Sequence, residues 1–178
     1  MTTYVALLYS IILSPARRLV MSDLRAMAEA LGFTNVRTLV ATGNLVFETP
    51  KARVSSIETM LETAFEKRFG NHVDILVRDA DGWRKLTAAN PFPDLADDHP
   101  DCVGVRVMRR PLAPEALAML EPFRSEDERI EVVDGDPWFY FSREPGSSKL
   151  LSALGRKPIG VGTSRNWNTV RGICRMLG

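Results

Sequence analysis

Apolar positions along the chain change spacing in a regular order, from a short continuous run to helical spacing, then to alternation. Tyr4 to Tyr9 (YVALLY) is a β-rich run, followed by a loop at Ser14-Pro15. Leu24, Met27, Ala28 and Leu31 keep the i, i+3, i+4, i+7 spacing of one helix face, and Gly32-Phe33 reads as a left-handed C-cap with its hydrophobic latch. Val36 to Ala41 and Leu45 to Glu48 predict two strands meeting at Gly43-Asn44, a hairpin signal. Ser55-Ser56-Ile57-Glu58 reads as a capping box at the head of a second helix, whose exit is Gly70-Asn71. Val73, Ile75 and Val77 then alternate with Asp74 and Leu76 as a further strand. The order is β-α-β-β-α-β.

Residues 79–100 change character. A short amphipathic piece around Trp83 and Leu86 precedes Asn90-Pro91-Phe92-Pro93 and the acidic Asp97-Asp98, and the stretch reads as a linker. The earlier grammar then returns. A strand at Cys102 to Met108 leads to a helix with Pro114 in its first turn. Arg129 to Val133 and Trp138 to Phe141 are joined through the hairpin pair Asp134-Gly135. A helix from about Ser147 carries Leu150, Leu151 and Leu154 and stops at Gly155; Ile159 to Thr163 is a last strand, and a C-terminal helix runs from about Ser164 to Leu177.

The expected fold is therefore α+β: two ferredoxin-like βαββαβ repeats with antiparallel sheets, plus a C-terminal helix. The expected division is 1–78, a linker with a short helix at 79–100, and 101–178. Length allows this, since 178 residues suit one domain or two small ones of ~90 residues each. With 23 Lys and Arg against 22 Asp and Glu, the net charge of +1 argues against a surface built to grip long polyanions. No apolar run approaches the roughly 20 residues of a membrane span, so a cytoplasmic protein is expected. Two cysteines, Cys102 and Cys174, fit reduced thiols; with only His72 and His99 as histidines, no metal site and no cofactor are expected.

The chain resembles the bacterial family called domain of unknown function 1697. The residues that carry the likeness are Tyr4-Val5-Ala6-Leu7-Leu8, Leu31-Gly32-Phe33, Thr42-Gly43-Asn44, Asn90-Pro91-Phe92, Ser148-Lys149-Leu150 and, most specifically, Arg165-Asn166-Trp167-Asn168-Thr169-Val170. The resemblance implies the same duplicated α+β fold and no particular activity. After its first strand the family usually shows Arg-Gly-Ile-Asn followed by glycines, whereas this chain has Tyr9-Ser10-Ile11-Ile12-Leu13-Ser14-Pro15. A loop without glycine keeps its amides further from a ligand, which puts any family function of Ser10–Pro15 in doubt.

In a sheet ordered 4-1-3-2, strands 3 and 4 point the same way with only strand 1 between them, so the helices that follow them open about 10 Å apart. Two helix N-termini on one rim suit a phosphate or carboxylate. Ser147, Ser148 and Lys149 would supply hydroxyls and an ammonium there; Arg165, read as a first-turn cation, would add charge, with Asn166 and Asn168 beside it. The expected function is binding of a small anionic ligand, possibly phosphate-containing, with an acidic side chain such as Asp97, Asp98 or Asp101 as the alternative partner of Arg165. A second reading is RNA or single-stranded nucleic-acid binding through an aromatic sheet face at Trp138-Phe139-Tyr140-Phe141, decided by whether Trp138 or Phe139 is exposed. A third is a ligand-free interaction protein. No nucleophile with a base beside it can be named, so no reaction is assigned, and Glu126-Asp127-Glu128 reads as a solvated loop.

Overall fold

The structure is a computed structural model that describes residues 1–142 and 144–178. The chain divides into two compact units, Met1–Thr87 with Arg171–Gly178, and Ala88–Val170.

The first unit runs β1 (Thr2–Leu8), a small hairpin of β2 (Ile12–Ser14) and β3 (Arg17–Arg18), α1 (Met21–Ala30), β4 (Thr34–Leu39), β5 (Asn44–Thr49), α2 (Val54–Phe69), β6 (Ile75–Asp79) and α3 (Ala80–Ala88), whose last residue falls in the second unit. Its four-stranded sheet has the order β4-β5-β1-β6, and every neighbouring pair is antiparallel. Tyr4, Ala6 and Leu8 of β1 share a core with Leu24, Met27 and Ala28 of α1 and Ile57, Leu61 and Phe65 of α2. Val5 and Leu7, on the opposite face, are buried as well, so Tyr4 to Leu8 is apolar without alternation, as a strand buried on both faces is.

The end of α1 is built as its sequence predicts. Gly32 takes φ +85°, and the N–H groups of Phe33 and Gly32 donate to the carbonyls of Ala28 (3.3 Å) and Glu29 (3.0 Å), the paired bonds of a Schellman motif. Gly43 (φ +78°) follows a 3-10 turn, Val40–Thr42, so the connection is longer than two residues, and Asn44 already belongs to β5.

The capping box does not form. Arg53 precedes the helix without a side-chain cap, and Ser55 and Ser56 lie inside the first turn. Glu58 instead faces the sheet, where its carboxylate accepts the N–H of Val77 at 3.0 Å; one turn on, Glu62 accepts the N–H of Ile75 at 3.0 Å. Two backbone donors of the edge strand β6 are thereby held by carboxylates of α2. The loop after β1 forms the β2–β3 hairpin, with Ile12 opposite Arg18 and Ser14 opposite Arg17, and leaves Tyr9, Ile12 and Val20 exposed.

The second unit comprises α4 (Pro93–Asp98), β7 (Val103–Met108), α5 (Pro114–Leu120), β8 (Arg129–Val133), β9 (Asp136–Tyr140), α6 (Lys149–Arg156), β10 (Gly162–Asn166) and the start of α7 (Trp167–Met176), which from Arg171 belongs to the first unit. The stretch expected to be a linker is thus largely helical, in α3 and α4. The sheet order is β10-β7-β9-β8, again antiparallel throughout. Asp134 (φ +50°) and Gly135 (φ +88°) make a two-residue turn between the paired Val133 and Asp136. A Cβ on Gly135 would lie 2.7 Å from Pro111, so only glycine fits. Phe139, Phe141 and Met108 pack against Ala116 and Leu120 of α5 and Leu150, Ala153 and Leu154 of α6.

The last strand lies three residues later than the sequence suggests. Residues Gly162–Asn166 pair with β7, and helix begins only at Trp167. Arg165 is therefore a strand residue, not a first-turn residue of a helix, and the unfavourable dipole contact expected of it does not arise. The mixed α/β architecture, with antiparallel sheets and helices, is as expected. Among the described residues no helix is long and apolar enough to cross a membrane.

Candidate functional site

Strands β9 and β10 both run antiparallel to β7, with Tyr140 opposite Val103 and Asn166 opposite Gly104. Both chains therefore leave the sheet at the start of β7. Strand alternation sorts the side chains there. Gly104, Phe139, Ser164 and Asn166 take the face that carries α6; Val105, Trp138, Thr163 and Arg165 take the other.

Gly104 interrupts an otherwise filled strand. Val103, Val105, Arg106, Val107 and Met108 are all buried, while Gly104 leaves space on the helical face. A Cβ there would meet the carbonyl oxygen of Arg165 at 3.1 Å, and its three nearest neighbours would all be backbone atoms of Arg165 and Asn166. Above it lies an open cavity of about 280 Å³, walled by Phe139, Phe141, Leu151 and Leu154 and edged by Ser164 and Asn166. An apolar wall with a few polar groups at the mouth is the common make-up of small-molecule sites. At that mouth Asn166 Oδ1 accepts the N–H of Thr169 at 3.0 Å, capping α7, and Asn168 Nδ2 donates to Asp101 Oδ1 at 2.7 Å. These two amides hold the end of the strand and the start of the helix in place.

Ser147, Ser148 and Lys149 line a different cavity, of about 370 Å³, together with Glu128 and Arg124. Glu128 is only 5% exposed, against the expectation of a solvated loop. Its carboxylate accepts the hydroxyl of Ser148 at 2.6 Å and the N–H and hydroxyl of Ser125, each at 3.1 Å. Ser148 in turn caps α6 by accepting the N–H of Leu151 at 3.2 Å. A carboxylate of the chain thus sits at the start of α6, where an anion was expected to bind. The Ser147 hydroxyl donates to the Glu144 carbonyl at 2.9 Å, and Lys149 is exposed.

Arg165 borders the cavity over Gly104, its carbonyl lying against that glycine, while its side chain takes the other face of the sheet. Its Nη1 donates to Thr163 Oγ1 and to the Ser164 carbonyl, each at 2.9 Å, and burial pushes its guanidinium down from the ordinary arginine range to about 10. The six residues expected to converge therefore occupy three places: around Glu128, at the capped start of α7, and across the sheet. The shift in Arg165 makes a testable sign. Because the folded chain holds that proton less tightly than the unfolded chain, charging Arg165 opposes folding below about pH 10, and the penalty lifts as pH rises through that value toward the ordinary arginine range. Melts of the parent and Arg165→Met in parallel should show the parent gaining on the variant between about pH 9 and 11, whereas a constant difference would contradict the assignment.

The aromatic platform is also absent as a free surface. Trp138 and Phe139 are each 1% exposed, and Trp138 lies against Trp167 at a centroid separation of 6.0 Å. Bases cannot stack on either ring. Both cysteines are free thiols, and burial together with the neighbouring Asp101 pushes the Cys102 thiol up, away from the thiolate a nucleophile needs.

Sequence reasoning passed over Gly104 and Glu128. A glycine within VGVRVM is a signal for the first. For the second, Ser125 three residues earlier is a local partner, but Ser148, which ties it to the start of α6, lies 20 residues away.

Fold and site together define a mixed α/β protein with a small apolar cavity at the end of an antiparallel sheet. The chain belongs to the family described as "Protein of unknown function (DUF1697)", whose model matches residues 1–138. No curated protein matches it. Among solved structures it is similar to the conserved bacterial protein SP0830 from Streptococcus pneumoniae, with 22% identity, a TM-score of 0.79 and 99% of each chain covered. That likeness speaks for the fold alone.

Proposed function

We propose that this chain binds a compact small molecule in the cavity over Gly104, and that each of its sheets with two crossover helices is a ferredoxin-like βαββαβ unit, the whole being a duplication. Strand orders β4-β5-β1-β6 and β10-β7-β9-β8 support the second statement, since each reads 2-3-1-4 or its reverse. The observation that carries the first is the missing side chain at Gly104, beneath walls of Phe139, Phe141, Leu151 and Leu154. A flat apolar body fills this space, and a hydrogen-bonding head meets Ser164 and Asn166 at the mouth. An anionic head gains from the first turn of α7 and loses against Asp101, so the charge of the head is the finer question.

Two fluorescent probes separate these points: neutral 1-aminoanthracene and the sulfonate 1-anilinonaphthalene-8-sulfonate. The expected result is saturable one-to-one enhancement with the neutral probe, lost in Gly104→Leu and in Leu151→Trp, which fill the cavity from the sheet and from the helix. Circular dichroism checks that each variant is folded. Absence of enhancement, or equal enhancement in both filled variants, would sink the proposal; the sulfonate arm reads whether an anion is accepted.

A further inference from the structure

A second cluster, far in the sequence from the cavity residues, lies in the first unit where α2 meets the entry to β6. Glu62 comes from α2, and His72 and Asp74 flank the buried Val73 just before β6. His72 and Asp74 are two apart in the chain, and their side chains lie on the same side. His72 Nε2 lies 3.1 Å from Asp74 Oδ1, and one ligand atom from each of the three residues falls within 4.8 Å of the other two.

We propose that Glu62, His72 and Asp74 form a binding site for a divalent transition-metal ion of the zinc class, with water completing the coordination. The donor set is the first reason: one imidazole nitrogen with two carboxylates suits zinc and its neighbours better than calcium or magnesium, which take oxygen alone. Charge is the second. Two carboxylates this close repel one another, and a dication between them removes the conflict.

Geometry is the third. Bonds of about 2.0–2.1 Å in a tetrahedral shell put ligand atoms roughly 3.3 Å apart, close to the 3.1 Å already found between His72 and Asp74. Glu62, whose Oε1 accepts the N–H of Ile75, has to close only part of the 4.8 Å span, a shift that turning its two-oxygen carboxylate about the last side-chain bond supplies. The backbone that carries the three groups has anchors besides the bond that Glu62 makes to the N–H of Ile75. The carbonyl of Asp74 accepts the N–H of Tyr9 at 2.9 Å, the Asn71 amide donates to the Leu13 carbonyl, and Gly70 caps α2 at φ +85°. Such a frame lowers the cost of assembling the ligands. Scarcity of histidine, which argued against zinc from composition, is met here by carboxylates.

Zinc chloride titrated into the reduced, full-length chain tests this by calorimetry and by histidine-ring NMR. The chain has only two histidines, so the reading is unambiguous. One-to-one binding that shifts the His72 ring and leaves His99 unmoved is expected, with affinity at least about tenfold weaker in His72→Ala and in Glu62→Gln. Zinc held by Cys102 or Cys174 would leave the His72 ring unmoved and both variants unaffected, and that outcome overturns the proposal. So does the lack of any ring shift in the parent chain, a readout that does not depend on the variants folding.

Discussion

A Trp138→Ala chain should melt roughly 10 °C below its parent, measured by circular dichroism, because the indole is fully enclosed and its removal leaves a cavity. Large aromatic truncations in a core cost about 3–5 kcal/mol, and a chain of this size loses about 2–4 °C for each kcal/mol. Neighbouring Trp167 closes over it, with ring centroids 6.0 Å apart, so partial collapse of the void is the main route by which the loss could be softened. A stacking platform predicts the opposite pattern: an unchanged melt and lost affinity for an oligonucleotide. That pattern would refute the placement of Trp138 in the interior.

The second large effect is expected at Glu128. Removing its carboxylate in Glu128→Ala strips an acceptor from the Ser148 hydroxyl and from the N–H and hydroxyl of Ser125, all at a site only 5% exposed. Donors left without a partner there should cost about 2–3 kcal/mol in a urea melt. The informative arm is the addition of acetate or sulfate. If Glu128 acts as the internal anion of the α6 start, added anion restores part of the lost stability in Glu128→Ala and none in the parent. Equal response of the two chains would show that the start of α6 does not depend on this carboxylate.

Much of the architecture was legible in short stretches. Gly32-Phe33 and Asp134-Gly135 specify backbone conformations that few other residues tolerate, and both form as their chemistry requires. Signals that depend on a partner elsewhere misled. Ser55-Ser56-Ile57-Glu58 has the letters of a capping box, yet Glu58 gains more from a buried strand donor, the N–H of Val77, than from the helix end. The stretch Thr163-Ser164-Arg165-Asn166 is polar throughout and has no alternation to announce a strand; its pairing with β7 is a tertiary fact. The candidate site suffered most, because Arg165 moved from helix to strand and its side chain moved with it to the other face. Gly104 was visible as a break in a valine-rich run, but what a gap encloses depends on the helix laid over it.

The grip of α2 on β6 has a consequence for how this protein behaves among its copies. A bare sheet edge is a template on which another chain can add a strand, and through which sheets grow into aggregates. With the amides of Ile75 and Val77 already bonded to Glu62 and Glu58, an incoming strand finds those positions taken and meets negative charge there. The helix thus serves as a guard rail against strand addition along that edge.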